Sequence, residues 1–191
     1  MLDKYRCLEM LAARRTREVV VSTMSVATPW ARLSDTPLDF ASVESAMGHA
    51  ADFGLGLALA RPERRVIVLN GDGSTLMCLG TLVTLADLSP PNYTLVIVDN
   101  GTYEVTGNQP VPGRGLVDFA TLARGAGCRH VHVLATQAEF AEKLPLHLGG
   151  PGPQVMVWKT TPACEPVPRP RYYIRERARR LREALLDGST G

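Results

Sequence analysis

The chain has 191 residues, 45% of them hydrophobic, and a formal net charge of +2. That length suits one domain with a substantial core, and the small charge excludes a disordered chain or a general nucleic-acid binder. The longest apolar runs fall well short of the roughly 20 residues that span a bilayer. Acids within the opening MLDKYRCLEML argue against a secretion signal, so a cytoplasmic location is expected. Cys7, Cys78, Cys128 and Cys164 are widely spaced with no Cys-x-x-Cys. They predict reduced thiols rather than a zinc site or a disulfide framework. Among His49, His130, His132 and His147 no helical pair has metal-ligand spacing, and His130 and His132 share one face of a predicted strand.

Residues 2–15 read as a helix with Tyr5, Leu8, Leu11 and Ala12 on one face. Val19, Val20 and Val21 form a short buried strand that runs into a small polar loop, Ser22-Thr23-Met24-Ser25. Residues 27–37 read as irregular and residues 38–43 as a short strand. A helix is expected from Ser45 to about Ala60, ended by Pro62. Gly54 and Gly56 inside it each cost about 1 kcal/mol against Ala, which points to close approach to the sheet or to another chain. An apolar run over residues 66–69 ends on Gly71-Asp72-Gly73. Residues 75–88 then repeat apolar side chains at helical spacing until Ser89-Pro90-Pro91-Asn92 breaks them.

A second apolar run, 95–98, ends on Asp99-Asn100-Gly101. The loop from Gly101 to Gly115 is rich in Gly and Pro, and its length points to function. A helix over 118–126 with Asp118 in its first turn, a strand over 131–134, a helix over 137–148 and a strand over 154–158 complete the pattern. Alternating strands and helices predict a three-layer α/β/α sandwich with a mostly parallel sheet. That domain is expected to end near residue 158, with a proline-rich extension over 159–171. Residues 172–191 carry a basic helix with Ile174, Ala178, Leu181 and Leu185 on one face. Glu176 and Glu183 interrupt its charge and no aromatic platform accompanies it, which favours docking on the domain or a partner over binding nucleic acid.

The unit over residues 66–109 carries the chemistry. In an open parallel sheet, ligands bind at the carboxyl ends of the strands. Asp72, between two glycines, reads as neither a helix residue nor a core residue. Its glycines let backbone amides approach a ligand, and the next helix presents N–H groups to an anion. A carboxylate beside a phosphate needs a cation between them, which favours Mg2+. The Asn100 amide oxygen and the Thr102 carbonyl are suitable further hard ligands. A dinucleotide-binding fold is the competitor, with Gly71-x-Gly73 opening its fingerprint and Asp99 as the ribose acid. Against it, Leu76 stands where Gly or Ala is needed, and Asp72 would face a pyrophosphate uncompensated.

Gly71-Asp72-Gly73-Ser74, with Asn100 following 28 residues after Asp72, resembles the thiamine diphosphate-binding motif. SAMGHAADFGLGLAL, from Ser45, resembles the helix before that motif, and DNGTYEVTGNQP, from Asp99, resembles the sulfopyruvate and phosphonopyruvate decarboxylase branch. The resemblance covers nearly the whole chain and implies the diphosphate-binding domain of a thiamine diphosphate enzyme. It implies Mg2+ on Asp72, Asn100 and the Thr102 carbonyl, and the diphosphate on Gly71, Gly73 and Ser74. Met47 would wedge the cofactor into its bent shape, the Ser45 carbonyl would accept from its pyrimidine amine, and Thr23 and Ser25 would face it. Met24 stands where the family often has glycine, and Glu44 where a small residue is more usual, with a one-residue change in spacing.

No catalytic residue is assigned within the chain, with His49 and Glu104 as the candidates nearest the cofactor in sequence. The activating glutamate of such enzymes comes from a pyrimidine-binding domain. The resemblance therefore implies a separate pyrimidine-domain subunit, in a hetero-oligomer such as α2β2 or larger. The implied activity is decarboxylation of a 2-oxo acid whose second anion is a sulfonate or phosphonate. A carboligase subunit making acyloin or acetolactate-type products, and a non-catalytic module of the same fold, are the other readings.

Overall fold

The run of valines at residues 19–21 sits at the heart of a six-stranded sheet, fully buried as a strand covered on both faces must be. The computed structural model describes residues 1–41, 47–163 and 174–187. In chain order the elements are α1 (Lys4–Ala12), β1 (Val19–Ser22), α2 (Met24–Leu33), β2 (Asp39–Ala41), α3 (Ala50–Ala60) and β3 (Val66–Gly71). Then come α4 (Asp72–Met77), α5 (Gly80–Leu88), β4 (Tyr93–Asp99), β5 (Thr102–Tyr103), a 3-10 turn (Glu104–Thr106) and β6 (Gln109–Pro110). The chain closes with α6 (Phe119–Gly125), β7 (His130–Leu134), α7 (Gln137–Gly149), β8 (Gln154–Lys159) and α8 (Ile174–Asp187).

The main sheet runs β2-β1-β3-β4-β8-β7, with every neighbouring pair parallel. Alternate side chains build two cores. Val19, Val21, Val68, Ile97 and Val157 pack with Leu55 of α3, Leu85 of α5, Phe119 of α6 and Leu181 of α8. Val20, Leu69, Val98 and Trp158 pack with Leu8 of α1, Trp30 of α2 and Phe140 of α7. This is the expected three-layer α/β/α sandwich. Among the described residues, no helix is long and apolar enough to cross a membrane.

Several local expectations change. Residues 24–33 are helical, not irregular. Val26, Ala27 and Trp30 bury an apolar stripe, and the Trp30 Nε1 donates to Asp39 Oδ1 at 2.8 Å. Tertiary packing overrides the breaking tendency of Pro29, which has no N–H to offer the Ser25 carbonyl. The helix expected over 75–88 is two helices that break at Cys78 and Leu79, and the first already begins at Asp72. The helix expected from Ser45 begins at Ala50 after a turn at residues 47–49; residues 42–46, with Glu44 and Ser45, lie outside the described residues. Gly54 needs its missing side chain, because a Cβ there would stand 2.3 Å from Val68 Cγ2 on the sheet, whereas Gly56 faces open space. The Gly101–Gly115 loop holds the antiparallel β5–β6 hairpin. On α8, Leu181 is buried, while Ile174 and Ala178 are exposed, so the stripe docks only through its later half. His132 stacks on His147 with ring centroids 3.7 Å apart. On α1, Tyr5 is partly exposed and the buried face is Lys4, Cys7, Leu8 and Leu11.

Candidate cofactor site

From β1 the chain passes to β2 on one side and then, through α3, to β3 on the other. Such a reversal opens a crevice outside the carboxyl ends of β1 and β3. β1 delivers Thr23, Met24 and Ser25 there, and β3 delivers Gly71 through Ser74. β4 adds Asn100 and the turn to Thr102.

Asp72 is the first residue of α4 and only 3% exposed, so it is both a helix residue and a buried one. The expectation that glycine flanks would exclude both fails because its carboxylate turns toward the β4 loop and is capped there. Oδ1 accepts from the Gly73 N–H at 2.6 Å, and Oδ2 accepts from Asn100 N–H at 3.1 Å and Gly101 N–H at 2.6 Å. Burial nevertheless pushes its pKa up to about 6, with the nearby Asp99 adding to the rise and the three N–H groups opposing it. Asp99 is itself paired with Lys159 at 2.5 Å. A carboxylate offers about four acceptor positions. Three are filled here, which leaves one for a cation.

The other oxygens are equally fixed. Asn100 Oδ1 accepts from the Thr102 N–H at 2.9 Å, and the Thr102 hydroxyl donates to Asn108 Oδ1 at 3.0 Å. The turn requires Gly101, whose φ is +72°. The Ser74 hydroxyl accepts from the Gly48 N–H at 2.8 Å, which ties the turn before α3 to the loop after β3. At Gly73 a Cβ would stand 2.3 Å from Tyr103 Cε1, so the glycine admits the tyrosine ring over the loop.

Met24, Ser25, Met47, Gly71, Asp72, Gly73, Ser74, Asn100, Thr102 and Glu104 line one cleft. Thr23 is buried at the N-cap of α2, outside that lining, and the His49 side chain is 67% exposed, also outside it. Tyr103, Val105 and Thr106 line the cleft too and were not singled out from sequence; their only signal is their place within the DNGTYEVTGNQP segment. Met24 has φ of +50°, a left-handed conformation that glycine adopts without steric strain, which explains why glycine suits this position. Glu104 forms a buried ion pair with Lys4 of α1, and its Oε1 accepts from the Ala163 N–H at 2.7 Å. Lys4 was also missed, and no local pattern marks it.

The model for the thiamine pyrophosphate enzyme C-terminal TPP binding domain matches residues 19–157. The chain belongs to this family. It is 35% identical to phosphonopyruvate decarboxylase from Streptomyces viridochromogenes over 187 residues, 96% of this chain and 46% of that protein. It is also 35% identical to sulfopyruvate decarboxylase subunit beta from Methanocaldococcus jannaschii, over 78% of each chain. The chain thus spans about half of the first relative and most of the second. The 2-oxoglutarate:ferredoxin oxidoreductase of Magnetococcus marinus shares the fold, with a TM-score of 0.65 at 18% identity, covering 80% of this chain and 60% of that one. The cleft lies at the β1–β3 reversal, outside the carboxyl ends of the strands. Its hard oxygen donors, Asp72, Asn100 and Thr102, fit a Mg2+ ion.

Proposed function

We propose that the chain is the diphosphate-binding subunit of a thiamine diphosphate-dependent decarboxylase acting on a 2-oxo acid with a second anion, sulfonate or phosphonate. The observation that carries this reading is the buried Asp72 carboxylate at the sheet reversal, with one acceptor position left and two further oxygen donors beside it. With the cofactor bound, Asp72, the Asn100 side-chain oxygen and the Thr102 carbonyl would hold Mg2+. Ser74 and the backbone of Gly71 and Gly73 would meet the diphosphate at the start of α4. Thiamine diphosphate supplies the electron sink that lets carbon dioxide leave a 2-oxo acid.

The chain's own residues bind, orient and exclude water. Met24 and Met47 give the cleft an apolar wall. Glu104, tied to Lys4 and the Ala163 amide, is held as an acceptor at the rim. The match to most of a protein named as a beta subunit supports a second wall from another chain. Phe53, Leu59, Met77 and Val83 are 40–59% exposed on α3, α4 and α5 and offer apolar area for such a contact. The partner in this reading is a pyrimidine-domain subunit that brings the activating glutamate, in a hetero-oligomer.

The test is turnover of sulfopyruvate and phosphonopyruvate with Mg2+ and thiamine diphosphate, with and without the product of the neighbouring reading frame. Activity is expected only with both chains. Full turnover by this chain alone would sink the split-site reading. Mass spectrometry of the product separates an aldehyde from the acyloin of a carboligase. No binding of cofactor in either arrangement would leave a non-catalytic module.

A further inference from the structure

The corner between the residue 47–49 turn and the α4–α5 break gathers donors of a kind the cleft lacks. His49 Nδ1 lies 3.0 Å from Asp52 Oδ2. Cys78 Sγ lies 3.7 Å from His49 Nδ1 and 4.0 Å from Nε2. One donor atom from each of the three residues falls within 4.8 Å of the others. Zinc takes thiolate sulfur at about 2.3 Å and imidazole nitrogen or carboxylate oxygen at about 2.0–2.2 Å in a tetrahedral array, which sets ligand atoms about 3.4–3.6 Å apart. The separations of 3.0 and 3.7 Å bracket that spacing.

The surroundings suit an ion as well. The His49 and Asp52 side chains are 67% and 43% exposed, which leaves an entry path and a fourth position open to water. The Thr81 hydroxyl donates to Asp52 Oδ1 and orients the carboxylate from behind, as an outer hydrogen bond to a metal ligand does. The donor types also separate this corner from the cleft. Oxygen donors at Asp72, Asn100 and Thr102 select a hard cation, while thiolate with imidazole selects a borderline one.

We propose that His49, Asp52 and Cys78 form a zinc-class metal site with an open fourth position, next to the cofactor cleft and distinct from it. Its location gives it a task. His49 and Asp52 belong to the start of α3, and Cys78 caps the end of α4. Gly48 lies between them, packed so closely that a Cβ would stand 3.2 Å from Cys78 Sγ. The Gly48 N–H is the donor to Ser74. A metal bridging the three side chains pins that turn, and with it Met47, against the β3 loop.

Cobalt titration of the full chain, stripped of metal by a chelator, tests the site. One equivalent of Co2+ is expected to give a thiolate charge-transfer band in the near ultraviolet and intense visible bands of a tetrahedral ion, all displaced by Zn2+. Cys78→Ser should abolish the charge-transfer band. His49→Gln should weaken binding at least about tenfold, and Cys164→Ser should leave the spectrum unchanged. Equal thermal melting of the metal-free variants and parent shows that each is folded. A missing band, a band that survives Cys78→Ser, or one that appears only at millimolar cobalt overturns the proposal. The readout needs neither thiamine diphosphate nor a partner, so it stands or falls independently of the decarboxylase reading.

Discussion

The inner end of the cleft and its rim are built differently. At the inner end, Asp72 and Asn100 are held by backbone N–H groups from the turn that leaves β4 and from the first residues of α4. At the rim, Glu104 is held by the Lys4 side chain from α1 and by one amide beyond β8, and Met24 is held in a left-handed conformation. The inner end is therefore fixed by backbone donors of the loops that leave β3 and β4, and Glu104 at the rim by one side chain and one amide distant in sequence. The rim thus depends on how α1 packs.

Asp72→Ala should have the largest effect. It leaves three N–H donors without their acceptor, at about 1–3 kcal/mol each where water cannot replace it. It also removes the proposed metal ligand. Thermal melting should show lower stability and no response to cofactor and Mg2+, where saturation at about 100 times Kd would add about 2.7 kcal/mol to the parent. A variant that still responds would remove Asp72 from the metal site and make the two ends equivalent.

Lys4→Met comes next. It breaks a buried ion pair and leaves Glu104 uncompensated, a change that costs about 3–5 kcal/mol. The double variant Lys4→Met with Glu104→Gln should recover most of that loss, as measured by urea denaturation. If the single variant costs less than about 1 kcal/mol, the rim pair behaves as a surface pair and the contrast with the inner end weakens.

The pH dependence of an Asp72 variant against the parent probes the inner end. The Asp72 carboxyl sits at about 6 in the folded chain against 3.8 ordinarily. A group raised in this way favours the folded state fully below 3.8, and that contribution is lost as pH rises through 6. The distance between those values corresponds to on the order of 3 kcal/mol. His132 acts in the opposite direction, because burial and neighbouring charges lower it from 6.5 to about 4; its contribution is present above 6.5 and lost as pH falls through 4. The useful measurement is therefore the difference between the parent and Asp72→Asn at pH 5 and pH 7.5. Without metal, the parent should lose stability relative to the variant as pH rises. Mg2+ binding should strengthen over the same window, because the ion needs the carboxylate ionised. A pH-independent difference would place Asp72 outside this account.

What was readable in the sequence follows the same division. Asp72 and Asn100 were legible because apolar runs mark strands, strands have ends, and ligands gather at the ends of a parallel sheet. The burial of Asp72 was not, since its hydrogen-bond donors at Asn100 and Gly101 come from the next strand's loop. α2 was hidden because Pro29 and β-branched neighbours read as breakers, while the packing of Trp30 against Asp39 needs the fold. Lys4 meets Glu104 across 100 residues, and Cys78 meets His49 across 29. Neither spacing is a motif, so only the folded chain brings those groups together.

Met24→Gly should give the smallest effect and the finest distinction. A left-handed conformation costs a non-glycine residue roughly 1–2 kcal/mol, and Met24 adopts it with φ of +50° at the cleft wall. Glycine removes that strain but loses more backbone entropy on folding, about 0.5–1 kcal/mol. The net change in the metal-free chain should be a gain of up to about 1 kcal/mol. Met24→Val, branched at Cβ, should instead lose stability. If Met24 is strained in order to place its side chain on the cofactor, the glycine variant should be more stable yet bind the cofactor more weakly. If the strain only accommodates the step from β1 into α2, stability should rise with affinity unchanged. A loss of stability in Met24→Gly would show that methionine packing outweighs the strain, and the rim would then be as well fixed as the inner end.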